Sequence, residues 1–421
     1  MGAGEAVAPS AVIDMLARSV PIEQRAGAVS AAFSGLHIGS VLGLLASPAI
    51  IDAFGWRSLF LTFGVIGLVW CVAFQELMKD IGRQDPELLK LLEASWDSSP
   101  STSLPASAAS PSRPEGDVSS NYSEKINTEG AETVTATALH IPYRAMLRSR
   151  PVLALAYTHF AHNWLHYTCL AWLPTYFVDT LSVDLMHASQ AALMPPLAGI
   201  LTASVAGRAA DRLISLGMPV SLVRKAAQCT AFLVPSALLS SICLASVGEG
   251  YSGEDASISA GSIASVADGS AADTALASID ALTAGLSSDA LTTVALMTLA
   301  LGTSAFSLAG LYCTHQDLSP KYSSAMLGVT NTAAGMSGVV GVALVGYLLD
   351  QTGSWELSLF APSIFFLTTG ALVYTLQGSN DAVDFDAEDD SPFRFESGLQ
   401  RMQKSWGQLM RALPFPLSKA E

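Results

Sequence analysis

Charge is scarce in this chain: Asp, Glu, Lys and Arg make up 14% of its 421 residues, against about 25% in soluble domains. That deficit excludes an ordinary soluble enzyme. Catalytic signatures are missing as well. The polar segments contain no glycine-rich nucleotide loop, no serine or cysteine nucleophile with a neighbouring base and no paired metal-ligand motif, so enzymatic activity is disfavoured and no cofactor or resident metal is expected. The five cysteines, Cys71, Cys169, Cys229, Cys243 and Cys313, show no paired spacing and read as buried free thiols. Eight stretches have no charged side chain at all: 26–51, 58–75, 151–178, 185–207, 226–248, 290–316, 322–349 and 357–380. Each reaches the roughly 18 residues that mark a membrane-spanning helix. The expected fold class is all-α, a polytopic membrane protein.

The net charge of −15 is not spread over the molecule. Residues 80–133, 249–289 and 381–396 contribute −6, −7 and −6, and without them the chain is +4. The acidity therefore belongs to loops and tail, and it points to no nucleic-acid partner. Basic residues occupy every second connection: Arg18 with Arg25, then Lys79 to Arg150, then Arg208, Arg212, Arg224 and Lys225, then Lys321, then the tail. Because basic loops resist crossing the membrane, these connections belong on one side. The alternation requires residues 6–17 to lie in the membrane too, as a helix of which only part is present. The resulting organisation is a remnant of an N-terminal helix group over 1–78, a polar central linker over 79–149, a six-helix half over 150–378 with an acidic insert at 249–289, and an acidic tail over 379–421. In that tail, residues 399–413 place Leu399, Met402, Trp406, Leu409 and Leu413 on one helical face, a pattern of either an interfacial amphipathic helix or a helix docked on a partner.

Six helices after a long polar linker point to the major facilitator architecture, two six-helix halves around a central site. Gly207-Arg208-Ala209-Ala210-Asp211-Arg212 resembles the GxxxDR loop motif of that superfamily. The glycine permits close helix approach, while Asp211 can cap a helix end and pair with a base across the loop. Longer runs in matching order, among them GAGEAVAPS (2–10), IEQRAGAVSAAFSGLHIGSVLG (22–43), HFAHNWLHYTCLAWLPTYF (159–177), VRKAAQ (223–228) and HQDLSPKYSSAMLGVTNTAAGMSGVVG (315–341), resemble the organic and inorganic anion transporter family. Its members include plant and algal phosphate transporters, sialin and the vesicular glutamate transporters, and the plant and algal members are the nearest match. On that resemblance residues 1–17 correspond to the second half of the family's fourth helix. The first three helices, and two arginines implicated in anion binding there, then have no counterpart.

The resemblance implies a secondary transporter of inorganic phosphate or an organic anion, coupled to sodium or a proton by alternating access. It also implies residue roles. Glu5 matches the coupling carboxylate, and a membrane-embedded carboxylate that takes up and releases a proton as the site changes sides meets the requirement for symport. His162 aligns with an anion-binding arginine of the vesicular glutamate transporters, and a titratable cation there would make anion affinity depend on pH. It belongs to a helical face with His159 and His166, beside Tyr167. Three imidazoles on one face would also suit a metal if a second helix added ligands. Asn331 either hydrogen-bonds between helices or contacts substrate. His37 faces either the cavity or a neighbouring helix. His315 and Asp317 form either a gating ion pair or a helix-end cap, and Asp211 and Arg212 act in gating or structure. Arg25 matches a family helix-start arginine, and anchoring to lipid phosphate is its expected role.

Two other readings stand beside transport: a membrane protein without transport activity, motivated by the missing helices, and a metal-binding membrane protein using the histidine face. An integral, multi-pass location is expected. The resemblance implies the plastid envelope or thylakoid, with Golgi, plasma membrane and vacuole as alternatives.

Overall fold

The computed structural model describes residues 7–93, 141–181, 191–249, 288–378 and 381–385. Glu5, the linker core, almost all of the acidic insert and the amphipathic tail segment 399–413 lie outside the described residues. Among the described residues every regular element is helical: α1 Val7–Ser19, a 3₁₀ turn Ile22–Gln24, α2 Arg25–Phe54, α3 Trp56–Gln84, α4 Pro86–Glu93, α5 Tyr143–Arg148, α6 Arg150–Leu181, α7 Met194–Ser215 and α8 Val220–Glu249. Then follow α9 Ser288–Ser304, a 3₁₀ turn Ala305–Leu308, α10 Leu311–Leu318, α11 Ser323–Thr352, a π turn Glu356–Phe360 and α12 Ala361–Gln377.

Six of these segments are long and apolar enough to cross a membrane. The helices α6 and α7, expected as spans from their lack of charge, fall outside that six. On α6 uncharged polar groups, among them His159, His162, Asn163 and His166, lower mean hydropathy without adding formal charge, whereas α7 runs on past its charge-free stretch through Arg208, Asp211 and Arg212. The protein is a multi-pass integral membrane protein. Its α3 has no buried residue, and Leu61, Leu68 and Trp70 are each more than 60% exposed. In water so large an apolar face would be a liability, whereas lipid is its natural solvent.

Within the described residues the eight charge-free stretches map onto helices with two revisions. Charged turns extend most of them, as in α3, which runs on through Glu76, Lys79 and Asp80 to Gln84. The stretch 290–316 is not one continuous helix: it tightens into the 3₁₀ turn and restarts at Leu311 after Gly310. The expectation of buried thiols holds for Cys169 and Cys313, but Cys71 is exposed on the lipid-facing helix α3.

Close packing comes from small residues, as expected where lipid tails compete with side chains for apolar contact. Helix α2 runs against α7, α9 against α7, and α6 against both α11 and α12. At the α2–α7 crossing a Cβ added to Gly207 would meet the Ala26 carbonyl oxygen at 2.9 Å and Ser30 Oγ at 2.8 Å. Only glycine fits there without moving backbone.

Candidate functional site

Two polar constellations lie among these helices, one at a helix-end seam and one deeper along α6. At the seam, Asp317 near the end of α10 accepts from two arginines. Arg25 Nη1, at the start of α2, donates to Oδ1 at 3.1 Å, and Arg224 Nε, near the start of α8, donates to Oδ2 at 2.8 Å. The three side chains are 5%, 2% and 0% exposed for Arg25, Asp317 and Arg224, so this is a buried charge cluster. Arg25 Nη2 also donates to the Val20 carbonyl and Arg224 Nη1 to the Ala309 carbonyl. Beside it, Asp211 on α7 caps α2, accepting from the backbone N–H groups of Ala26 at 3.0 Å and Gly27 at 2.7 Å. Those amides have no partner within their own helix, and the helix dipole adds to the attraction.

The seam revises three sequence expectations. Arg25 does not anchor to lipid phosphate; it is buried and paired with an aspartate on another helix. Arg224 does not behave as a loop base, being fully enclosed. Asp317 is an interhelix ion-pair acceptor, while His315 neither pairs ionically with it nor caps the helix. Asp211 does cap a helix, but the helix belongs to the other group, and Arg212 is exposed.

The second constellation begins at His315. Its Nδ1 lies 2.9 Å from the Leu311 carbonyl and its Nε2 2.8 Å from Thr330 Oγ1 on α11. Thr330 Oγ1 is in turn 3.1 Å from His159 Nδ1 on α6, and His159 Nε2 is 3.3 Å from the Tyr312 hydroxyl on α10. One turn further along α6, His162 Nδ1 is 3.1 Å from Ser307 Oγ. Ser307 accepts from Gln228 Nε2 at 3.1 Å, and Gln228 Oε1 accepts from the Leu311 N–H at 3.0 Å. Gln228 thus satisfies the backbone freed where the 3₁₀ turn gives way to α10, and the same break brings Ser307 and Tyr312 to α6. Interrupted membrane helices are tolerated where such partners re-satisfy the backbone.

His162 and His166 stack with centroids 6.5 Å apart, and His37 of α2 meets His166 edge-on at 6.3 Å. His37 reaches that place because α7 offers Gly199 beneath it; an added Cβ would lie 2.9 Å from the ring. His37 therefore packs on a neighbouring helix, the second of its two alternatives, and joins the imidazole row. Tyr167 follows, with its ring 6.3 Å from His166 and packed over Gly338 of α11. Asn331, half-buried, is the residue after Thr330, and the interhelix hydrogen bond sought from it is made by Thr330. Among the described residues no group of three His, Cys, Asp or Glu side chains is placed to hold a metal. His159, one member of the suspected metal face, has both ring nitrogens in hydrogen-bond contact with protein.

Sequence reasoning missed Arg224, Gln228, Ser307 and Thr330. For Arg224 a signal existed, since VRKAAQ was among the matching runs. The same run ends at Gln228, and Thr330 lies within the run 315–341, whereas Ser307 lies outside the matching runs.

The description "Major Facilitator Superfamily" matches residues 1–282. Over 385 residues the chain is 38% identical to "Probable anion transporter 5, chloroplastic" of Oryza sativa subsp. japonica, covering 91% of this chain and 70% of that protein. It is 37% identical over 389 residues to "Probable anion transporter 6, chloroplastic" of Arabidopsis thaliana, covering 92% and 62%. With "Sodium-dependent phosphate transport protein 1, chloroplastic" of Arabidopsis thaliana it shares 31% over 387 residues, covering 91% and 60%. The chain thus spans 70%, 62% and 60% of the lengths of these three relatives. With its all-helical membrane architecture, its glycine-mediated helix crossing and these matches, the chain belongs to the major facilitator superfamily.

Proposed function

We propose that the chain is a secondary carrier of inorganic phosphate or an organic anion across a plastid membrane, the envelope or the thylakoid. It works by alternating access, coupled to a proton or sodium. The observation that carries this reading is the convergence of His37, His162 and His166 from two helices onto one polar row within the helical bundle. Intramembrane ionisable groups are costly and by default functional. An imidazole row supplies N–H donors without a fixed charge, which suits an anion that must bind and also leave. The relatives named as anion and phosphate transporters support the same class.

In this reading His162, His37, Tyr167 and Asn331 contact the substrate. Glu5 carries the coupling ion, and Asp317 with Arg25 closes the seam between α2 and the later helices. Asp211 and Arg212 shape the adjoining helix ends. The test is uptake of labelled phosphate, and of a panel of organic anions, into proteoliposomes containing the purified chain. His162→Arg is expected to retain uptake and to flatten its dependence on pH, whereas His162→Ala reduces uptake. Equal uptake by all three proteins would remove His162 from the substrate site.

A further inference from the structure

The bond pattern around His159 and His315 has a direction. Because the Leu311 carbonyl only accepts, a neutral His315 must carry its proton on Nδ1, which leaves Nε2 as an acceptor. Thr330 then donates its hydroxyl to that nitrogen at 2.8 Å in preference to the Leu327 carbonyl at 3.3 Å on its own helix. The Thr330 oxygen in turn accepts from His159 Nδ1–H at 3.1 Å, so His159 Nε2 is the acceptor of the Tyr312 hydroxyl at 3.3 Å. With both rings neutral, one tautomer assignment satisfies all four contacts.

The same four contacts also suit the reversed order. A proton arriving at the Tyr312 oxygen displaces the hydroxyl proton onto His159 Nε2. His159 then passes its Nδ1 proton to Thr330, and Thr330 passes its own to His315 Nε2. Each step forms one O–H or N–H bond and breaks another, no electrons are transferred, and one positive charge ends on His315. In the final state His315 donates from both nitrogens, to Leu311 O and to Thr330. Thr330 donates to His159 Nδ1, and His159 Nε2–H donates to Tyr312. Every partner remains paired, the condition under which a buried polar chain is favourable. Tyr312 at the outer end is half-buried, whereas His159, His315 and Thr330 are enclosed.

We propose that Tyr312, His159, Thr330 and His315 form a proton relay whose terminal binding site is His315, separate from Glu5 and linking α6, α10 and α11. Among the ionisable groups on the elements packed around it are His162, His166 and Arg150 on α6, Cys313 and Asp317 on α10 with Arg25 and His37 of α2 and Arg224 of α8, and Tyr374 of α12, hydrogen-bonded to Thr314. Asp14 pairs with Arg18 on α1, and Arg144 and Arg148 on α5 are exposed. The inference rests on the transport reading only where it concerns uptake.

The experiment uses the full chain labelled with ¹⁵N-histidine in detergent, followed by NMR from about pH 3.5 to 8, a window that reaches below the ordinary histidine range so that an enclosed ring is covered. Its seven histidines are assigned by single His→Gln substitutions. His315 is expected to take up a proton while His159 exchanges its Nδ1–H tautomer for Nε2–H, both at one shared midpoint. In Thr330→Val, close in shape but without the hydroxyl, the His159 tautomer change is lost and its state no longer follows His315. Thr330→Ser restores the link. Thermal melting of each variant confirms that it is folded. A His315 that stays neutral throughout overturns the relay, as does a Thr330→Val protein with wild-type coupling of the two rings. Anion uptake by the same preparations separates the two readings. Coupled titration without uptake of any anion counts against transport and leaves the relay standing, while uptake without titration overturns the relay.

Discussion

Asp317 joins three helices through two oxygens, which makes it the residue where a single change does most damage. Asp317→Ala leaves Arg25 and Arg224 buried without their carboxylate, a type of change that costs about 3–5 kcal/mol. The expected outcome is a large drop in the melting temperature of detergent-solubilised protein, with Asp317→Asn milder because the amide oxygen still accepts from one guanidinium. A melting point within error of the parent protein would contradict the buried cluster. Glu5, outside the described residues, carries its own prediction: Glu5→Gln should abolish gradient-driven uptake and spare anion exchange, since the amide cannot cycle a proton. Proteoliposomes with an imposed proton gradient read both quantities. At this scale the sequence was least informative. Arginines near helix ends count toward membrane orientation whether they face water or turn inward, so Arg25 and Arg224 read as loop bases. Asp317, one residue past a charge-free run, was visible as unusual, but its partners lie 292 and 93 residues away.

Among the helices, the crossing of α2 and α7 depends on two devices that the GxxxDR pattern announced. Gly207 allows the approach, and Asp211 caps the start of α2 from outside it. Gly207→Val forces a side chain into the Ala26 backbone and should destabilise by about 1–3 kcal/mol. Asp211→Ala removes a cap worth about 1 kcal/mol. Both appear as lower melting temperatures, with the valine larger, and the reverse order would show that capping governs the crossing. Helix positions were legible because charge exclusion is a long-range pattern in the sequence. The break before Leu311 was not, since Ala305 to Gly310 contains no charge or proline and the interruption is held by Gln228 on another helix. Gly310 was the sole local hint.

For the whole molecule, apolar surface and the distribution of basic residues specify the relation to the bilayer. The linker over 80–140 and the acidic insert over 249–289 should lie on opposite faces of the membrane, because the connections that hold them differ in basic content. Single cysteines placed in each segment of a cysteine-free variant and labelled with an impermeant maleimide in sealed vesicles should react from opposite sides. Reaction of both from one side would require a different number of crossings. The class and layout of the fold were readable at this scale, since one-dimensional hydropathy maps directly onto a bilayer. The meeting of His37 with His166 was not, being set by how α2, α6 and α7 pack.

Because Asp317 presents one oxygen to each arginine, the two contacts can part independently. If α2 draws away at the seam, Arg224 stays on the aspartate and the carboxylate is never left bare. Arg25 alone emerges, so the joint behaves as a clasp with one releasable hook. Its release moves one unit of positive charge toward water while the pair left behind is formally neutral. Ions in solution stabilise a charge once it reaches the surface and have little hold on one that is buried. In the proposed alternating-access cycle the closed seam is therefore the salt-insensitive form, and raising ionic strength should tilt the balance toward parting.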